Sequence, residues 1–330
     1  MPDIDKTIHY TTKAQEICAS LIKYIPNNAQ LIEPFVGQGD LVQLFPAHHW
    51  EVYDLQNNYP NVIIQDTLKN PPSYEGKWII TNPPFLARNK AKEKAIFDQY
   101  GLDDHYKIAL HTALTADGGI FIIPTNFFTD ERSDNIRQEF LSKHQVLELN
   151  IFTEPVFEST TYSVCAFAFQ KKENEQQIIP TNVLPANNQT IITLYKKYNY
   201  QLAGDFYHTL QKQSNYFGRL TATSNPNEFI TDLKLYALDT RTEHIHITYG
   251  EPHYIGKSTD RIYLTFTCKE NIPPEKQKQL AINFNTALEE FRNQYHDLCL
   301  TNYRDYNRKR IGFTFAYQLL SYEWDKIKNE

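Results

Sequence analysis

Apolar positions along the first half of the chain fall into two alternating rhythms. Residues 14–24 carry Ile17, Leu21 and Ile22 at the three-and-four spacing of a helix, and Ile25 continues the stripe. Short apolar runs follow at 30–32, 50–53, 62–64, 78–81 and 119–124, each the length of a buried strand. Helical patterns fit between several of them, at 92–100, 106–114 and 133–143. Alternation of this kind predicts an α/β fold, a mixed but mostly parallel sheet with helices on both faces. Two more strand-like runs, 146–150 and 163–169, would complete the sheet. Residues 171–190 then turn polar, with Lys-Lys-Glu-Asn-Glu-Gln-Gln and two prolines, and read as a boundary. Beyond it the alternation is lost, leaving an aromatic-rich strand at 261–267 and one clear helix at 274–298. The pattern predicts a first domain over 1–172, a linker over 173–190 and an α+β domain over 191–330.

Composition changes this picture little. A chain of 330 residues, 41% apolar and 22% charged, accommodates two soluble cores. No apolar run approaches the roughly 20 residues of a membrane span. The first residues, MPDIDKTIHY, lack the charged-then-apolar layout of a secretory signal, so a cytoplasmic location is expected. Cys18, Cys165, Cys268 and Cys299 form no Cys-x-x-Cys pair, which points to buried thiols rather than zinc or disulfides. His244, His246 and His253 find no carboxylate or cysteine to complete a set, and no metal is expected. The net charge of −6 does not advertise nucleic acid, yet phosphate contacts depend on local basic surface rather than on the total. Tyrosine and phenylalanine, 22 and 20 residues, can stack on bases, although most belong to the core.

The chemistry concentrates in Thr81-Asn82-Pro83-Pro84-Phe85, directly after the run Trp78-Ile79-Ile80. A strand ending in Asn-Pro-Pro-aromatic sets a rigid turn at the carboxyl edge of the sheet, where open α/β folds bind ligands. An exocyclic adenine amine is a poor nucleophile because its lone pair is delocalised into the ring. Two acceptors gripping its N–H groups, the Asn82 side-chain oxygen and the Pro83 carbonyl, favour a localised lone pair, and Phe85 offers a stacking face. A second segment, Leu31-Ile32-Glu33-Pro34-Phe35-Val36-Gly37-Gln38-Gly39-Asp40, combines a strand, an acid and a glycine loop. It departs from the dinucleotide fingerprint because Val42 stands where a glycine belongs, which argues against a nicotinamide cofactor. Asp54 and Asp66 follow the next two strand-like runs, at positions suited to ribose hydroxyls and to an adenine amine.

With these motifs the chain resembles the amino-methyltransferases that modify DNA. It matches the subgroup ordered as cofactor segment, glycine loop, Asn-Pro-Pro-aromatic motif and C-terminal target-recognition domain. The resemblance covers about half the chain, roughly 8–170. It implies a Rossmann-like class I fold, S-adenosylmethionine as methyl donor and N6 of adenine as acceptor. By resemblance, His9-Tyr10-Thr11-Thr12-Lys13 matches the segment at the methionine end of the cofactor, with Tyr10 and Thr11 as contacts. Glu33, Pro34, Gly37, Gly39, Asp54, Leu55 and Asp66, together with Asn82, match other cofactor positions. Asn82, Pro83 and Phe85 match the catalytic motif. Phe157, in Pro155-Val156-Phe157-Glu158, matches the aromatic residue that packs on the flipped base, with Tyr162 as a neighbour. Glu33 stands where many relatives have Asp, which keeps the carboxylate.

No cysteine follows a proline, which argues against the thiolate mechanism of cytosine C5 methylation. Enzymes acting on N4 of cytosine commonly carry Ser where this chain has Asn82. A base within double-stranded DNA must be flipped out to reach such a pocket, and stacking on Phe85 and Phe157 would offset part of that cost. Two basic clusters are candidate phosphate grips: Arg88, Lys90, Lys92 and Lys94 after the turn, and Arg304, Arg308, Lys309 and Arg310 among tyrosines. The reading is that of a site-specific DNA adenine methyltransferase, the modification component of a restriction-modification system with a separate cognate restriction endonuclease. Alternatives are methylation of RNA adenine or of a protein glutamine amide, or a non-catalytic DNA-binding protein that has kept the fold.

Overall fold

A computed structural model of the chain describes residues 11, 13–157, 163–172, 177–212, 215–302 and 308–329. The chain divides into two compact units, Met1–Gly204 and Asp205–Glu330.

In the first unit nine strands form one sheet: β1 (Gln30–Glu33), β2 (His49–Asp54), β3 (Ile63–Ile64), β4 (Trp78–Thr81), β5 (Gly118–Pro124), β6 (His144–Phe152), β7 (Val164–Lys171), β8 (Gln177–Leu184) and β9 (Asn188–Leu194). Their order is β3-β2-β1-β4-β5-β7-β6-β8-β9. The strands from β3 through β5 run parallel to their neighbours; β7 is antiparallel to β5 and β6, β8 is parallel to β6, and β9 turns back on β8. The sheet is therefore mixed and mostly parallel. The order reverses between β1 and β4, which places the ligand crevice of such folds at the carboxyl ends of those two strands.

Parallel strands covered on both faces are apolar throughout, and β5 is buried along its whole length. Gly119 lies so close to β4 that an added Cβ would stand 1.9 Å from the Ile79 carbonyl oxygen, so only glycine fits there. The helices of this unit are α1 (Ala14–Cys18), α2 (Ala95–Tyr100), α3 (His105–Thr112), α4 (Asn126–Thr129) and α5 (Asp134–Lys143). Helix α1 is shorter than its sequence pattern. The stripe continues through a 3-10 turn at Ile22–Tyr24 and still buries Ile17, Leu21 and Ile25. Phe121, Phe127, Phe128, Phe140, Phe167 and Phe169 pack ring to ring between the sheet and α4 and α5, so much of the phenylalanine content is core.

The predicted linker over 173–190 is corrected by β8 and β9, which extend the sheet; residues 173–176 lie outside the described ones. The strand β8 was hidden by polar residues at inward positions. Gln177 is buried, accepts from the Val146 amide, and donates to the carbonyls of Leu141 and His144. The first unit accordingly extends to Gly204 rather than 172, and the second begins later than 191.

The second unit opens with α6 (Gly204–Gln211) and carries the antiparallel strands β10 (Phe217–Arg219), β11 (Phe229–Tyr236), β12 (His246–Tyr249) and β13 (Tyr263–Cys268), ordered β10-β13-β11-β12. Two helices, α7 (Pro274–Gln294) and α8 (Phe313–Ile327), bury Leu280, Phe284, Leu288 and Phe291, and Leu319, Leu320 and Trp324. The proline at the start of α7 gives up a donor that the first turn leaves unused in any case. A short ladder, β14 (Thr301–Asn302) with β15 (Lys309–Arg310), precedes α8. The unit mixes strands and helices, and α8 is a second long helix where the pattern shows one. Among the described residues no helix is long and apolar enough to cross a membrane.

Candidate active site

Strand β1 ends at Glu33 and its parallel neighbour β4 ends at Thr81, so the two side chains meet at the reversal point of the sheet. The Thr81 hydroxyl donates to Glu33 Oε1 at 2.6 Å, and the Phe35 amide donates to the same oxygen at 2.9 Å. Glu33 is only 1% exposed, and its other oxygen, Oε2, is buried with no hydrogen-bond donor in reach among the described residues. Burial pushes this carboxyl up to about 8 against the opposing pull of Thr81 and Phe35, with Asp54 adding a like charge. A wholly buried carboxyl with one unmatched oxygen can accept from a cationic or donor group beyond the described residues.

The glycine loop lies over this strand end. Gly37 and Gly39 both take positive φ, 53° and 86°. A Cβ at Gly39 would come within 2.1 Å of the Tyr59 ring, so the loop closes only on glycine. The loop is fixed by β2: Asp54 Oδ2 accepts from the Gly37 amide at 2.8 Å, and Oδ1 accepts from Gln56 at 3.0 Å. Leu55 follows with 58% of its surface exposed, an apolar side chain facing out beside the loop's anchor. Asp66 caps the turn after β3, accepting from the Lys69 amide at 3.2 Å and pairing with its ammonium at 3.5 Å. Its neighbour Thr67 is buried and donates to the Pro34 carbonyl at 2.9 Å, which ties this turn to the glycine loop. Asp54 and Asp66 thus hold backbone in place, and their remaining lone pairs are what they can offer to a ligand.

After Thr81 the chain makes the Asn-Pro-Pro turn. Pro83 is buried and Asn82 half-buried. Asn82 Nδ2 donates to Thr11 Oγ1 at 3.0 Å, which sets the plane of the carboxamide. Thr11 is 6% exposed, so the structure brings one predicted cofactor residue against the predicted catalytic one. Tyr10 and Tyr162 lie outside the described residues. Phe85 and Phe157 come together at 6.5 Å between ring centroids, and Phe85 also packs edge-on against Tyr106 at 6.3 Å. Both phenylalanines are only 4% exposed. The expected stacking faces are gathered as expected residues, but they are turned into one another, and a base between them requires this ring cluster to part.

The basic clusters differ in their surroundings. Arg88 is engaged by Asp98, through Nε at 3.2 Å and Nη2 at 2.7 Å to one carboxylate oxygen, while Lys90, Lys92 and Lys94 are exposed. Arg304 lies outside the described residues. Arg308, Lys309 and Arg310 are half-buried, and their backbone is tied to the end of β11 through the Lys309 carbonyl and the Ile311 amide. Burial pulls the Lys309 amine below its ordinary range. Of the three histidines considered for metal, His246 stacks on Tyr236, His253 pairs with Asp232 and His244 approaches Asp239. No group of three or more potential ligands is found among the described residues.

Thr81, Thr67 and Asp104 are residues of this region to which the sequence motifs assign no role. The first two are hydroxyls directly beside assigned residues, and Asp104 carries the signal of an Asp immediately before a helical run.

No family model matches the chain. No curated protein matches it. Among solved structures, the chain is similar to the methyltransferase subunit of a type I restriction-modification system from Streptococcus thermophilus, at 11% identity and TM-score 0.45 over 59% of either chain. It is similar to a protein assigned as the modification subunit of a type I restriction enzyme in Vibrio vulnificus YJ016, at 12% identity and TM-score 0.44 over 63% of this chain and 53% of that one. A protein from Listeria monocytogenes assigned to the class I S-adenosylmethionine-dependent methyltransferases is similar at 10% identity and TM-score 0.42, over 52% of this chain and 65% of that one. The chain thus spans between about half and two thirds of the length of these structures.

Proposed function

We propose that this protein transfers a methyl group from S-adenosylmethionine to N6 of a flipped-out adenine in double-stranded DNA. The observation that carries the reading is the pairing, at the reversal point of the sheet, of an unmatched buried carboxyl with an Asn-Pro-Pro turn. The residues present fit the cofactor. Glu33 Oε2 supplies the buried acceptor an ammonium needs, and half-buried Gly37 has no side chain to keep a ligand from the loop's backbone. In this reading Thr11, Asp54, Leu55 and Asp66 are further contacts of the cofactor, as is Tyr10, which lies outside the described residues. S-adenosylmethionine, when bound, supplies an electrophilic methyl group on a sulfonium. Asn82 holds the other side: with Nδ2 committed to Thr11, its oxygen accepts one N–H of the amine and the Pro83 carbonyl accepts the other. That grip localises the nitrogen lone pair, and Phe85 and Phe157 take the base between them after parting.

In this reading Asp205–Glu330 is the target-recognition unit, with Arg308 and Arg310 among its phosphate contacts and Arg88 and Lys90 as secondary ones. The protein is then the modification component of a restriction-modification system whose endonuclease is a separate chain. The test is methyl transfer from labelled cofactor to plasmid DNA, ribosomal RNA and a release factor in parallel. Label confined to adenine N6 of the plasmid supports the proposal. Label in RNA or in a glutamine amide with none in DNA replaces it.

A further inference from the structure

The turn after β4 has prolines at two successive positions, 83 and 84, so it has fixed backbone angles but lacks two amide donors with which to anchor itself. Its position must be set from its ends. The entry is continuous with β4. The exit is held by the segment before α3: Asp104 Oδ1 accepts from the Leu86 amide at 3.1 Å, the His105 amide donates to the Leu86 carbonyl at 3.2 Å, and the Arg88 amide donates to the Asp103 carbonyl at 2.8 Å. Ala87 and Asp104 form a β-bridge. The helix that follows is anchored by buried Tyr106, Ile108, Ala109 and Leu110, and the Tyr106 ring stands edge-on to Phe85.

We infer that Asp104 is a positioning residue for the proposed methyl transfer: by pinning the Leu86 amide to α3 it fixes where the Asn82–Phe85 turn ends and where the Phe85 ring stands. The inference rests on the function proposed above. Asparagine or serine would serve equally as a plain cap before a helix. Asp104 instead keeps a carboxyl that burial pushes up to about 6, with Asp103 raising it further and Lys107 and the amides of Tyr106 and Leu86 opposing. On the facing turn the charged group is Arg88, whose guanidinium is engaged by Asp98. A carboxylate held at a cost beside a reactive turn marks a functional demand on its hydrogen bond.

The experiment compares wild type, Asp104→Ala and Asp104→Asn by methyl-transfer rate, cofactor affinity and amide exchange over residues 82–88. Asp104→Ala should lower kcat between about ten- and a hundredfold, the scale of a small misplacement of reacting groups, and leave cofactor affinity unchanged. Asp104→Asn keeps an acceptor oxygen but loses the charge that strengthens the bond, and should recover only part of that rate. Exchange over 82–88 should quicken in Asp104→Ala and less in Asp104→Asn. A wild-type rate or unchanged exchange in Asp104→Ala overturns the inference. If Asp104→Ala does not fold, the pH profile decides: wild type should lose kcat as pH falls through about 6, and that limb should vanish in Asp104→Asn. Persistence of the limb overturns the inference. If wild type methylates nothing, the proposed function falls, while the exchange over 82–88 still judges the clamp.

Discussion

Two ionisable groups flank the turn after β4 in opposite surroundings. Glu33, at the end of β1, is wholly buried and has one oxygen without a donor among the described residues. Arg88, just past the turn, is exposed and already engaged by Asp98. The difference separates two meanings of charge in a sequence. A buried group with an unmatched atom holds interaction free energy in reserve for a ligand. An exposed group with a partner has little left to give, since surface ion pairs are worth about 0–1 kcal/mol and a new partner must displace the old one.

The largest effect is expected between these two groups. Asn82→Ala removes the acceptor assigned to the amine and should lower kcat by about a hundred- to a thousandfold, as loss of one preorganised polar contact does elsewhere. Cofactor affinity should be largely kept, because Glu33 and the glycine loop are untouched. Single-turnover rates and equilibrium binding separate the two, and near-normal turnover would remove Asn82 from its role.

Next is Glu33→Gln, which tests the reserve directly. The fold holds the Glu33 proton more tightly than the unfolded chain does, so this carboxyl contributes stability below the ordinary glutamate pKa that is lost as pH rises through about 8. In the free protein Tm should therefore fall between mildly acidic pH and pH 8. Glu33→Gln should flatten that part of the profile and melt higher at pH 8. It should also bind the cofactor about ten- to a hundredfold more weakly, the cost of losing a charge-assisted contact. In wild type, binding should tighten as pH rises toward 8, because the ionised carboxyl is the form that an ammonium pairs with. A variant that melts higher yet binds as wild type does would show that the unmatched oxygen faces no ligand.

How much of this was legible depended on whether a residue's role is local. The strands β1, β4 and β5 were readable because burial on both faces makes them apolar runs, and Glu33, Gly37, Gly39 and Asn82 were readable because they stand at the ends of those runs. The strand β8 was not, because its inward Gln177 is satisfied by partners distant in sequence, which a pattern of polar and apolar letters cannot display. The meeting of Thr11 with Asn82, and of Asp104 with Leu86, likewise depends on chain crossings. For Phe85 and Phe157 the family resemblance implied one site for both rings, while their edge-on closure is a matter of packing alone.

A smaller effect is expected in the second unit. Arg308→Ala and Arg310→Ala should each weaken DNA binding about uniformly across sequences and reduce the salt dependence by about one ion, if each meets a phosphate. Titration of labelled duplex at several salt concentrations measures both quantities. An unchanged salt slope would remove these arginines from the DNA contact, and the weight would fall on Arg304, which lies outside the described residues.

The smallest effect belongs to Arg88→Ala, and its smallness is what the comparison with Glu33 requires. Arg88 donates through Nε and Nη2 to Asp98 in α2, so a phosphate must compete with a carboxylate already within 2.7 Å. Removing Arg88 then removes a contact that is only partly available and frees Asp98 to repel DNA, for a net loss of about twofold or less in affinity at moderate salt. The informative partner is Asp98→Asn, which keeps a neutral acceptor and releases the guanidinium. It should tighten DNA binding at low salt by more than Arg88→Ala weakens it, and the gain should fade as salt screens the freed charge. An Arg88→Ala loss as large as that of Arg308→Ala would reverse the ranking, because it would mean that DNA takes Arg88 away from Asp98 and that exposure, not the existing partner, decides which cations bind.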